Sequence, residues 1–224
     1  MTELLTRLLD AALPHVAFDG WSEATFRAAV ADLGEPEALA RAIAPRGALD
    51  LAAEYHRRGD RAMTKAFEKR DKSGLRYFEK VALLVRLRLE AVDPEIVRRG
   101  MALFALPQHA PQGVSLIWGT ADAIWTALGD TSEDVNWYTK RMTLSGVFSA
   151  SVLFWLGDKS DDHQATWDFI DRRIADVMSV ESFKAKVREN PLVSKLMDSP
   201  LNPLKRIKKP QDHRADFPGY NARH

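Results

Sequence analysis

Apolar positions recur at intervals of three and four from the N-terminus to residue 178. From Thr2 to Phe18, Leu4, Leu5, Leu8, Leu9, Ala12, Leu13 and Val16 make one broad helical face, and Gly20 stops it. Ser22 can cap a second helix to about Leu33, with Phe26, Ala29, Val30 and Leu33 inward. Gly34 turns the chain into a short helix over Glu35 to Ala44. Pro45-Arg46-Gly47 breaks it before a long helix from Ala48 to Asp71. Leu75 to Val92 comes next, and there Val81, Leu84, Val85, Leu87 and Leu89 interleave with Arg86 and Arg88. Pro94 begins a further helix that Pro107 ends. After Pro111, Val114, Ile117, Ala121, Ile124, Trp125 and Leu128 again step by three and four. Asp161-Asp162 opens a last regular helix with Trp167, Ile170, Ile174, Val177 and Met178 on one face. No run alternates with period two, so the pattern predicts an all-α protein.

The stretch from Gly129 to Gly157 organises the rest. Thr131 or Ser132 is expected to cap its helix, with Glu133 and Asp134 near the positive end of the helix dipole. Fifteen residues without a charge follow, Met142 to Leu156. A bilayer span needs about 20 apolar residues, so this run is too short to cross one and suits a helix buried on most sides. Leu144, Phe148, Val152 and Trp155 form its apolar stripe, while Ser145, Gly146, Ser149 and Ala150 let another helix or a ligand come close. With Leu84, Leu103 and Ile117 from neighbouring helices, Leu144, Phe148 and Val152 are the candidate walls of a hydrophobic cavity. The same residues suit a filled core equally well.

The opening order of helix, helix, glycine turn, short helix and long helix is that of the TetR-type helix-turn-helix. A DNA reader needs donors and phosphate-binding cations at that short helix. Glu35 to Ala44 offers two glutamates and only Arg41. The expected organisation is therefore a degenerate helix-turn-helix over residues 1–47, a helical domain over 48–179, and a basic, partly disordered tail over 180–224. A ligand-responsive transcription regulator is the rival reading.

Composition adds charge asymmetry. The net charge of +1 divides into ten Lys/Arg against five Asp/Glu after residue 179 and 22 against 26 before it. The tail thus suits an anionic surface. Phe183, Lys184, Lys186, Val187, Lys205, Arg206, Lys208 and Lys209 are its candidate membrane-binding residues, divided by Pro191, Pro200 and Pro203. Without cysteine there is no disulfide or thiol nucleophile. Met1 leads straight into the amphipathic pattern, which is the expectation for a cytoplasmic protein held at a membrane face.

Catalytic signatures are missing. There is no G-x-S-x-G, no G-x-G-x-x-G and no Walker A loop. The histidines, at 15, 56, 109, 163, 213 and 224, form no H-x-x-x-H or Glu-x-x-His, and all six read as structural or solvated. The expectation is a non-enzyme with no cofactor or metal.

Asp130 to Arg141, DTSEDVNWYTKR, resembles the signature of the coenzyme Q biosynthesis lipid-binding family, the ninth Coq protein and its alphaproteobacterial relatives. Gly20-Trp21, Arg86-Leu87-Arg88, Leu106-Pro107, Pro111, Trp125, Trp167, Phe169 and Arg173 follow the same pattern in order. The resemblance implies a TetR-like helical bundle that has lost DNA binding and dimerises through its last two core helices, with residues 48–179 as the lipid-binding and dimerisation domain. It implies a cavity for an isoprenoid quinone intermediate or phospholipid, and delivery of that lipid to a di-iron demethoxyubiquinone hydroxylase. By the resemblance Trp137 and Tyr138, with Leu87, Ile124 and Arg141, carry the partner surface. Taken alone, the Trp-Tyr pair fits core packing better than an exposed surface. Relatives end in an amphipathic membrane helix, which the prolines of this tail interrupt. A structural dimer that holds a biosynthetic complex together is a further alternative.

Overall fold

The computed structural model describes residues 3–133 and 135–188, with side chains described to Val177. Nine α-helices make up the described residues, with no strand among them: α1 Glu3–Asp19, α2 Glu23–Leu33, α3 Glu37–Ile43, α4 Ala48–Lys69, α5 Tyr77–Glu90, α6 Pro94–Phe104, α7 Ala110–Ala127, α8 Val135–Gly157 and α9 Gln164–Arg188. The helix ends show why these elements start and stop. Ser22 caps α2 by accepting from the Thr25 N–H at 3.2 Å, and Gly34 closes it at φ 64°, where a side chain would be strained. Asp93 caps α6 by accepting from the N–H groups of Glu95 and Ile96, and Pro94 occupies the first turn.

Two expected helix ends are corrected. Thr131 and Ser132 do not cap α8, which begins at Val135. The Ser132 hydroxyl instead donates to Asp130 and accepts from Lys140 Nζ, each at 2.8 Å. Asp161-Asp162 does not open α9 either. Asp161–His163 forms a 3-10 turn with Asp162 and His163 at φ 50° and 56°, and Asp158 meets the first turn of α9 by accepting from the Thr166 N–H at 2.9 Å. The backbone of α9 continues ten residues past the expected end at Met178, to Arg188.

Apolar faces close around two centres. Leu8, Leu9, Val16, Phe26 and Leu51 anchor one, built from α1 to α3 and the start of α4. Leu84, Leu89, Ile124, Phe148 and Ile170 anchor the other, built from the end of α4 with α5, α7, α8 and α9. Each such side chain contributes roughly 1.5–3 kcal/mol when fully buried. Helix α4 serves both, with Leu51 in the first and Met63 and Phe67 in the second. Val92 and Val97 pack against both centres.

Candidate functional site

The two cores do not meet flush. Between them lies a mainly apolar cavity of about 170 Å³, walled by Ala52 of α4, Leu89 of α5, Val97 and Met101 of α6, Ile117 of α7 and Phe148 of α8. Leu153, 61% exposed, also lines it and marks its mouth on α8. An apolar cavity of about 150 Å³ is enough to admit benzene, so this one accommodates a single ring or a short branched chain.

Of the six residues expected to line a cavity, Ile117, Phe148 and Val152 converge here. Leu144 lines a second pocket of about 160 Å³, between Tyr77, Trp125 and Ile174. Leu84 is fully buried in the larger core, and Leu103 packs on the N-terminal one. Steps of three and four place a residue on the inner face of its helix, but they do not say which helix it meets.

A polar group is built into the same wall. Arg88, only 3% exposed, donates from Nε to Asp60 at 2.7 Å and from Nη2 to the His56 carbonyl at 2.9 Å. The guanidinium lies over Gly59, where a Cβ would overlap it, so glycine is required for the close approach. Thr120 is fully buried and donates to Asp60 at 2.8 Å, while His56 Nε2 lies 2.8 Å from the same Thr120 hydroxyl. Burial holds the His56 imidazole down to a pKa of about 4, helped by the Arg88 charge and opposed by Asp60. It is neutral near pH 7. Sequence reading set His56 aside with the other histidines. The available signal was His56-x-x-Gly59-Asp60 on the inward face of α4, but its partners come from two other helices.

The predicted partner surface lies elsewhere, and its exposure is corrected. Trp137 is 9% exposed, Leu87 5%, Arg141 3% and Ile124 is fully buried; of the five, only Tyr138 is half-buried. Arg141 explains the burial: it lies 4.0 Å over the Trp137 ring and bridges Asp122 at 2.6 Å and Asp130 at 3.1 Å. Trp118 covers the pair from α7, its ring centre 5.9 Å from Trp137 and 6.4 Å from Tyr138. The aromatic pair thus fills the α7–α8 seam. In the short helix α3, Arg41 pairs with Glu23, lies 3.6 Å from Glu37 and stacks over Phe26.

Of the tail residues, Phe183, Lys184, Lys186 and Val187 fall on the backbone of α9 with side chains outside the described residues. Lys205, Arg206, Lys208 and Lys209 lie outside the described residues altogether.

Residues 110–181, which span α7, α8 and most of α9, match the COQ9 family model. The probable ubiquinone biosynthesis protein coq9 of Dictyostelium discoideum is 30% identical over 195 residues, covering 84% of this chain and 64% of that protein. These matches support a place in the COQ9 family. COQ9 of Drosophila melanogaster is 29% identical over 78% of the chain and 55% of its own length; COQ9 of Rattus norvegicus is 30% identical over 78% and 58%. The chain thus spans somewhat under two thirds of the curated COQ9 proteins it matches. Among solved structures, a TetR transcriptional regulator from Nitrosomonas europaea superposes with a TM-score of 0.63 at 19% identity, covering 78% of this chain and 97% of that one. The chain is therefore TetR-like in fold, as its helix order implied.

Proposed function

We propose that this COQ9-family chain acts in ubiquinone biosynthesis as a lipid-binding accessory protein and not as a catalyst. Its ligand would be an isoprenoid quinone intermediate, or a phospholipid in the same place. The cavity between the two cores carries the reading: its walls are mainly apolar, it holds a ring-sized volume, and Leu153 opens it to the surface. The names of the relatives support the pathway. Ser149 sits in the cavity wall, so Ser149→Trp fills the space. A folded Ser149→Trp protein is expected to co-purify with at least fivefold less lipid, measured by mass spectrometry of extracts. Unchanged lipid content would sink the assignment of this cavity.

The rest of the proposal concerns delivery. The acceptor is a di-iron demethoxyubiquinone hydroxylase. It would be met at Tyr138 and the edge of the α7–α8 seam, since the other four residues expected there are buried. Residues 1–47 would serve as a platform, 48–179 as the lipid-binding and dimerisation unit, and the basic segment from 180 as a tether to an anionic membrane. Among the described residues, no helix is long and apolar enough to cross a membrane. Peripheral attachment on the inner face of the cytoplasmic membrane is the location proposed. Flotation with anionic vesicles, with and without residues 180–224, decides the tether. A homodimer through α8 and α9 would cover Met142, exposed at 62% on α8. Light scattering on Met142→Lys, monomeric if the face is the interface, decides that point.

A further inference from the structure

Helix α6 gives more of the cavity wall than any other helix, through Ile96, Val97, Gly100, Met101 and Phe104. Yet Ile96 is the only one of its eleven residues that is buried. An element with so few buried contacts is among the first parts of a fold to open. The ties that hold α6 are unevenly placed. At its start the Asp93 N–H donates to the Tyr55 hydroxyl of α4 at 2.8 Å, and Trp21 Nε1 donates to the Ile96 carbonyl at 3.4 Å. Its end is fitted to α7, where a Cβ at Gly113 would come within 2.9 Å of Phe104. Toward α8 the hydrogen bonding among the described residues comes down to Arg98.

Arg98 and Arg99 work as a pair. Arg99 Nη2 donates to the Ala17 carbonyl in the last turn of α1, and Arg98 Nη2 to the Leu156 carbonyl in the last turn of α8, each at 2.9 Å. The last four carbonyls of a helix have no partner within it, and the negative end of the helix dipole favours a cation. Two adjacent arginines thus hold α6 to the ends of two helices, one from each core. The two sides differ in what backs them. α6 lies close along α1 and α7 but not along α8. Leu156 stands one helical turn from Leu153 at the cavity mouth. The Arg98 side chain is 55% exposed, so water can replace its carbonyl partner at little cost.

We propose that α6 is the gate of the cavity, that an apolar guest passes between α6 and α8, and that Arg98 is the latch. The helix stays on α1, α4 and α7 while its α8 side lifts. Arg98 is not in the cavity wall, so it governs passage and not affinity. The proposal rests on the lipid-cavity reading and adds to it the route and the residue that controls it.

The chain has no cysteine, so an introduced pair supplies its only thiols. Arg98→Cys with Gly157→Cys, joined by a bis-maleimide, clamps α6 to α8, and Gly157 has open space around it. Arg99→Cys with Phe18→Cys, joined the same way, clamps α6 to α1 at the exposed Phe18. Exchange of fluorobenzene, a single uncharged ring, is followed by fluorine NMR on the full chain. The α8 clamp is expected to slow exchange about tenfold or more, and the α1 clamp to leave it within about twofold. Arg98→Ala removes the latch without a clamp and serves if a clamped pair does not fold. It should raise the on- and off-rates together by about three- to tenfold, with Kd unchanged within about twofold, and Arg98→Lys should recover part of the wild-type rate. Equal slowing by both clamps, slowing by the α1 clamp alone, free exchange under the α8 clamp, or a wild-type rate in Arg98→Ala overturns the gate and leaves the cavity standing. No binding of fluorobenzene by the wild type removes the cavity reading, and the proposal with it.

Discussion

Trp137 sits between Trp118 and Tyr138 with the Arg141 guanidinium 4.0 Å from its ring centre. A large aromatic removed from such a seam leaves a void the neighbours cannot close, and the cost is about 3–5 kcal/mol. Trp137→Ala is therefore expected to lower the urea midpoint strongly, whatever it does to partner binding. Tyr138 is only half-buried, so Tyr138→Ala separates the two effects. Its stability should fall by no more than about 2 kcal/mol, while affinity for the hydroxylase in a pull-down titration falls about tenfold if the ring is an interface anchor. Wild-type affinity in that variant would move the partner surface away from the seam.

At the scale of elements, the turn between α7 and α8 is held by one carboxylate. Burial alone would raise the Asp130 pKa, but hydrogen bonds from Lys140, Ser132 and Arg141 outweigh it and bring it down to about 2. The folded pKa lies below the unfolded value of 3.8, so the carboxylate stabilises the fold above about pH 4. That contribution is lost as pH falls from 4 through 2. Lys140 is 37% exposed and its share is screened, which leaves about 1–2 kcal/mol for the carboxylate at pH 7. Asp130→Asn should be less stable than wild type by that amount at neutral pH, with the gap narrowing below pH 4 in denaturant titrations. A gap independent of pH would show that the turn is held by shape and not by charge.

The same turn shows what was legible in the sequence. The apolar faces of α1, α2, α5, α7, α8 and α9 could be read because a period near 3.6 needs only the chain itself. Asp130, Ser132, Lys140 and Arg141 lay in a recognised signature, yet their use as a folded turn rather than a helix cap depends on who bonds to whom. The Asp161–His163 turn was misread for a related reason: two acidic residues suit a helix start, and only the backbone shows Asp162 and His163 at positive φ. The cavity was half legible. Phe148 and Val152 were found from a charge-free run and Ile117 from the apolar steps of its own helix, whereas His56 and Asp60 of α4 take their partners Arg88 and Thr120 from α5 and α7, which no local spacing announces.

For the whole molecule, the deciding feature is that α4 belongs to both cores while the cavity lies where they meet. Its Leu51 end and its Met63 end cannot be released separately without exposing apolar surface on both sides. The two halves are thus expected to melt in one transition, and the backbone amides at the centre of α4 to exchange with deuterium only when everything else has come apart. A guest that enters between the cores needs the surrounding helices to part and close again, about a spine that stays intact. Such a molecule would breathe around its cargo, and the pace of that breathing would set how fast one lipid replaces another.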